Sequence, residues 1–128
     1  GPYCLYTYAR VQSIGREIEV GWPDLDPNER DSALDALGTD REMAVVRQLG
    51  DWPTTVEDAL QGSNPSDVTE YLFELAQAFS SLYNDPDHRI VDLDAGPRRD
   101  GLLLLCRAVA ETMETGLELL GIETLDEM

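Results

Sequence analysis

Between Leu102 and Leu120 the apolar residues Leu102, Leu105, Val109, Met113, Leu117 and Leu120 recur at steps of three and four. That spacing lays one continuous stripe along an α-helix, whereas a strand would need apolar residues at every second position. A long helix with one apolar stripe must bury it against other elements. No segment of the chain shows sustained two-residue alternation, so those other elements are expected to be helices too. The expected architecture is all-α, a bundle of about five helices with short connections. The 128 residues support one core, and residues 1–128 are read as a single domain.

Punctuating residues divide the rest. A first helix is expected from about Tyr3 to Glu19, stopped by Gly21-Trp22-Pro23, followed by a loop rich in Asp, Pro and Asn from Asp24 to Ser32. Thr39 and Asp40 are plausible N-caps for a second helix ending near Gly50, with Met43, Val46 and Leu49 on one side. Pro53 can open a short third helix through Leu60, closed by Gly62. Ser66, or Asn64 ahead of Pro65, would cap a fourth from about Asp67 to Tyr83. The stretch from Pro86 to Pro97 is read as a loop in which Arg89 to Leu93 could run extended. The last helix is expected from about Arg98 to Leu120, with Gly121 as the residue that ends it.

Composition excludes several classes. Hydrophobic residues at 42% and charged residues at 27% are those of a globular domain. The longest apolar run, Leu102 to Cys106, has five residues, against the roughly 20 that a membrane span requires. No signal peptide opens the chain and position 1 is Gly, so a piece of a longer protein is expected, with Gly1-Pro2 either native or added. Nine basic residues, all Arg, stand against 26 acidic ones for a net charge of −17. Such a field disfavours non-specific binding to nucleic acid, DNA included, or to anionic membranes. A solvated or salt-adapted surface accounts for it, and a basic protein partner is the sharper alternative.

Chemistry is sparse. Cys4, Cys106 and the single His88 have no zinc spacing, and two separated reduced thiols suit a cytoplasmic setting. His88 lies in the polar turn Asn84-Asp85-Pro86-Asp87-His88, an ordinary place for a solvated imidazole. No Gly-rich phosphate loop is present, and Asp24/Asp26, Asp85/Asp87 and Asp92/Asp94 lack the Gly and distal Glu of a calcium loop. The expectation is a segment that is not itself catalytic and holds no metal or cofactor.

The first helix is more informative. At about 100° per residue, Cys4, Tyr8, Val11, Ile14, Gly15 and Ile18 cluster on one side, while Tyr3, Tyr6, Arg10 and Ser13 point roughly 130° away. Two aromatics and an Arg off the core face suit the stacking of unpaired bases and the pairing of a phosphate. They equally suit packing against a neighbouring helix, with Arg10 neutralising a carboxylate.

The segment Gly1-Pro2-Tyr3-Cys4-Leu5-Tyr6-Thr7-Tyr8-Ala9-Arg10-Val11-Gln12-Ser13-Ile14 resembles the opening of the C-terminal anticodon-binding domain of arginyl-tRNA synthetases, the DALR domain. The stretch Tyr71-Leu72-Phe73-Glu74-Leu75-Ala76, running on to Phe79, Tyr83 and Asn84, is similar to that family's central helix. Leu104 to Ala110, then Gly116 to Ile122, and a closing Met128 resemble its end. The likeness runs in order from one end of the chain to the other.

The resemblance implies the all-α anticodon-binding domain of a class I aminoacyl-tRNA synthetase. Its catalytic domain would lie upstream and use ATP and Mg²⁺ to join arginine to tRNA(Arg). Position by position, it implies that Tyr3, Tyr6, Tyr83 and Met128 contact unstacked anticodon bases with Arg10 as the nearby cation, while Tyr71 and Phe79 stay in the core. The sequence departs from the family pattern at Leu5, in place of a Gln, and at Leu102, in place of an Arg, with Arg98 and Arg99 about one turn upstream. At the end, Glu127 stands where the family has a basic residue. These departures and the net charge motivate the other class of function, an acidic helical module that keeps the fold and binds a basic protein.

Overall fold

The computed structural model describes residue 9 and residues 24–62, 66–85 and 93–127, which contain five helices and no strand. Apart from Ala9, the expected first helix, and with it Tyr3, Tyr6, Arg10 and Cys4, lies outside the described residues, as do Met128, His88 and the proposed extended piece around Ile90. The helices are α1 (Pro27–Asp35), α2 (Asp40–Gly50), α3 (Trp52–Leu60), α4 (Ser66–Tyr83) and α5 (Pro97–Glu127). The all-α expectation holds, and three of the five helices begin and end close to the expected limits.

Helix α1 corrects the reading of 24–32 as a loop. Asp26 accepts from the Glu29 amide at 2.7 Å, the Asp26 amide donates back to Glu29 Oε1 at 3.3 Å, and Pro27 occupies the first turn. This reciprocal cap with a proline behind it starts a helix in sequence that otherwise reads as turn. Only Ala33 of α1 is fully buried, so no apolar stripe announces it. The place of Ala33 is set from the other side: a Cβ on Gly101 of α5 would lie 2.4 Å from the Ala33 carbonyl oxygen, so α1 and α5 meet where α5 has no side chain.

Helix α2 is capped as expected by Thr39, which accepts from the Glu42 amide at 3.2 Å. Its inward face differs from the expected one. Val45 and Glu42 are fully buried and Met43 and Leu49 partly so, while Val46 is exposed. Helix α3 has Pro53 in its first turn and is followed by Gly62, whose φ of +92° suits a glycine. Trp52 at its start lies 5.1 Å from the Tyr71 ring at a tilt of 36°.

The core is built mainly between α4 and α5. Val68, Tyr71, Leu72, Leu75, Ala76, Phe79 and Leu82 of α4 face Leu102, Leu103, Leu105, Cys106, Val109, Ala110 and Met113 of α5 within one cluster. Helix α4 is central and touches α2, α3 and α5, whereas α1 packs on α5. Tyr71 and Phe79 are core residues, as expected, and the Tyr71 hydroxyl donates to the Gln48 carbonyl at the end of α2. Helix α5 passes through Gly121 to Glu127 instead of ending there. No proline follows Gly121, and a glycine inside a helix costs only about 1 kcal/mol, which the helix-forming residues beyond it offset.

Candidate functional site

Of the four side chains expected to contact bases and the nearby cation Arg10, the described residues contain only Tyr83. It is the last residue of α4, is 38% exposed, and its ring centroid lies 6.1 Å from that of buried Phe79 at a tilt of 33°. The ring thus touches the core and stays partly exposed. A partly exposed aromatic ring is a side chain on which an unpaired base can stack.

The end of α4 is held by a residue from another helix. Arg41, at the second position of α2, donates from Nη1 to the Ser81 carbonyl at 3.1 Å and to Ser81 Oγ at 2.6 Å. Its Nε lies 3.1 Å from Asp85 Oδ2. The last carbonyls of a helix have no partner within it and carry the negative end of its dipole. One guanidinium therefore satisfies a carbonyl, a hydroxyl and a carboxylate around the terminus that bears Tyr83. The α4 chain continues with the Asn84 amide donating to the Ser80 carbonyl at 2.9 Å and the Asp85 amide to the Leu82 carbonyl at 3.2 Å. Beside this clasp lies a surface hollow of about 430 Å³ lined by Asp40, Arg41, Ala44, Ala78 and Ser81.

A second hollow, of about 360 Å³, lies toward the start of α4 and is lined in part by Asp51, Asp67, Glu70 and Glu74. Four carboxylates there repel phosphate.

Arg98 repeats the device of Arg41. At the second position of α5, it donates to the Ala36 carbonyl at the end of α1 at 3.0 Å and forks onto Glu42, with Nη2–Oε2 at 2.5 Å and Nη1–Oε1 at 3.4 Å. Glu42 also accepts from the amides of Gly38 at 2.9 Å and Thr39 at 3.2 Å. Burial acts to raise its carboxyl, but the Arg98 bonds and the two amides outweigh this and hold it at about 2. Sequence reasoning missed both clasps. Their one signal is that each Arg stands in the first turn of its own helix, where the dipole disfavours a cation.

The described residues hold no group of three or more His, Cys, Asp and Glu side chains able to bind a metal ion. Cys106 is a free, buried thiol pushed up to about 12 by burial, so it is protonated and poorly nucleophilic at neutral pH. Among the described residues no helix is long and apolar enough to cross a membrane.

Comparison with known proteins gives a consistent result. The DALR anticodon binding domain family matches residues 4–128. The arginine–tRNA ligase of Nostoc sp. is 39% identical across 99% of this chain, that of Synechocystis sp. 35% identical across 99%, and that of Streptococcus thermophilus 36% identical across 100%. The chain spans only about a fifth of the length of these relatives (21%, 20% and 21%). No solved structure matches.

Proposed function

The chain belongs to the DALR anticodon-binding domain family, and from that premise we propose that it is the tRNA-reading domain of an arginine–tRNA ligase. In this reading residues 1–128 act as one domain joined to a catalytic domain of the same chain, which ligates arginine to tRNA(Arg) with ATP and Mg²⁺ in the cytoplasm. The domain's own part is to hold the anticodon loop. Tyr3, Tyr6 and Tyr83 stack unpaired bases, Met128 adds an apolar contact, and Arg10 pairs with phosphate or lies flat on a base.

One observation carries the proposal: the similarity to arginine–tRNA ligases takes in essentially all of this chain and a fifth of theirs. The half-exposed ring of Tyr83 at the clasped end of α4 supports its assigned role. Stacking of one base on an aromatic side chain contributes about 1–3 kcal/mol, so Tyr6→Ala and Tyr83→Ala should each weaken tRNA(Arg) binding by the full-length protein by about 5- to 150-fold. Filter binding with tRNA(Arg) beside a transcript altered in its anticodon measures this. If both variants bind like the parent protein, the assignment of these residues is wrong.

A further inference from the structure

We infer that Arg41 is a positioning residue for tRNA recognition, fixing the terminal turn of α4 so that Tyr83 presents its ring in one orientation. The inference rests on the proposed role of Tyr83 in stacking a base, and it assigns Arg41 no contact with RNA.

The argument starts from where helices are weakest. The last turn of a helix lacks partners for its carbonyls and frays, unless something outside the helix fills them. Tyr83 is the last residue of α4 and so sits in the part of the helix with the least intrinsic order. A stacking platform that frays must be ordered when the base arrives, and that ordering weakens binding. Arg41 removes the problem from outside. Its fork takes the Ser81 carbonyl at 3.1 Å and the Ser81 hydroxyl at 2.6 Å, two residues before Tyr83, and Asp85 at 3.1 Å, two residues after it. The ring lies between two anchored points. Phe79, one turn earlier on α4 and buried in the core, supports it from below.

The chemistry of the clasp calls for arginine. Three acceptors at different bearings are met by a planar fork of five N–H donors, which a lysine ammonium cannot reproduce on a flexible stem. Arg41 also stands in the first turn of α2, a poor place for a cation on account of that helix's own dipole. Its contribution therefore lies in what it holds on α4.

The test uses the full-length protein and tRNA(Arg), with Arg41→Ala, Arg41→Lys, Asp85→Asn, Tyr83→Ala and the double variant Arg41→Ala/Tyr83→Ala. Binding is measured across a range of salt concentrations, and thermal unfolding confirms that each variant is folded. Arg41→Ala and Arg41→Lys should weaken binding alike, by about three- to tenfold, within the span of coupling between neighbouring residues. Asp85→Asn, which removes one arm of the clasp, should fall between them and the parent. In the Tyr83→Ala background, Arg41→Ala should have no further effect, and the slope of log K against log salt should match the parent protein throughout.

Recovery by Arg41→Lys together with a salt slope shallower by about 0.7 on loss of the charge would identify a phosphate contact and overturn the inference. Losses that multiply in the double variant overturn it as well, since Arg41 would then act independently of Tyr83. A silent Tyr83→Ala beside an effective Tyr6→Ala removes Tyr83 from the interface, and the inference with it, while the tRNA-binding reading stands. Silence of both tyrosine variants overturns the assignment of these residues, and the inference with it; a parent protein that does not bind tRNA(Arg) defeats that reading itself.

Discussion

Glu42 has no solvent exposure, yet it carries a full charge at neutral pH because four donor groups converge on it. Removing one partner of such a pair leaves the other without compensation, although Arg98 keeps 39% of its side chain in water and can partly rehydrate. Glu42→Gln keeps an acceptor for the amides and loses the charge, so it should destabilise the chain by about 1–3 kcal/mol in equilibrium unfolding by urea at pH 7. The pH dependence has a defined sign. The folded carboxyl sits at about 2, below the ordinary 4.5, so the contribution of Glu42 is complete above pH 4.5 and disappears as pH falls to about 2. A depression of that size corresponds to roughly 3 kcal/mol. The stability gap between the parent chain and Glu42→Gln should therefore narrow steadily as the pH is lowered through that window. A gap that stays constant down to pH 2 would show that the charge is not what Glu42 contributes.

Helices that bury a broad stripe are legible in sequence, and helices placed by a single contact are not. Capping residues give the limits of α4 to within a residue and the apolar stripe gives the start of α5, which then runs past its expected end near Leu120 to Glu127; all six residues of the α5 stripe are buried or partly buried. Helix α1 carries no such stripe, because Ala33 is its one buried residue. The inward face of α2 departs from the one its apolar residues predict, because the buried carboxylate of Glu42 takes a core position and Val46 faces outward. Tyr83 was legible through family resemblance. Arg41 was not, because its acceptors lie 40 residues away and only the tertiary fold brings them together.

The glycines of α5 make a test at this scale. In a helix interior Gly→Ala ordinarily stabilises by about 0.5–1 kcal/mol, and Gly121, with open space around it, should behave so. At Gly101 the new methyl would lie 2.4 Å from the backbone oxygen of Ala33 and 3.2 Å from Leu37 Cδ2, forcing α1 away from α5. Gly101→Ala should therefore destabilise by about 1–3 kcal/mol, opposite in sign to Gly121→Ala, when the two are compared by thermal unfolding. The same sign for both would mean that α1 is not seated on α5.

For the whole molecule the governing quantity is the net charge of −17. Folding gathers these charges into a small volume, and their mutual repulsion opposes the compact state. Ion pairs work the other way. Arg41–Asp85, Arg98–Glu42 and Arg107–Glu111 occur among the described residues, and only Arg98–Glu42 has a partner fully shielded from solvent. Salt screens long-range repulsion among exposed carboxylates and attraction within exposed pairs alike, but it reaches a buried pair far less. The carboxylates outnumber the arginines by 26 to nine, so the loss of repulsion outweighs the loss of attraction. Raising NaCl from about 10 mM to about 1 M shortens the Debye length from about 30 Å to about 3 Å, and the Tm of the chain should rise across that range. The steepest part should come at low salt, where screening lengths first fall below the size of the domain. A Tm that falls with NaCl would show that the ion pairs, and not the unbalanced acidic surface, dominate the electrostatics of the fold.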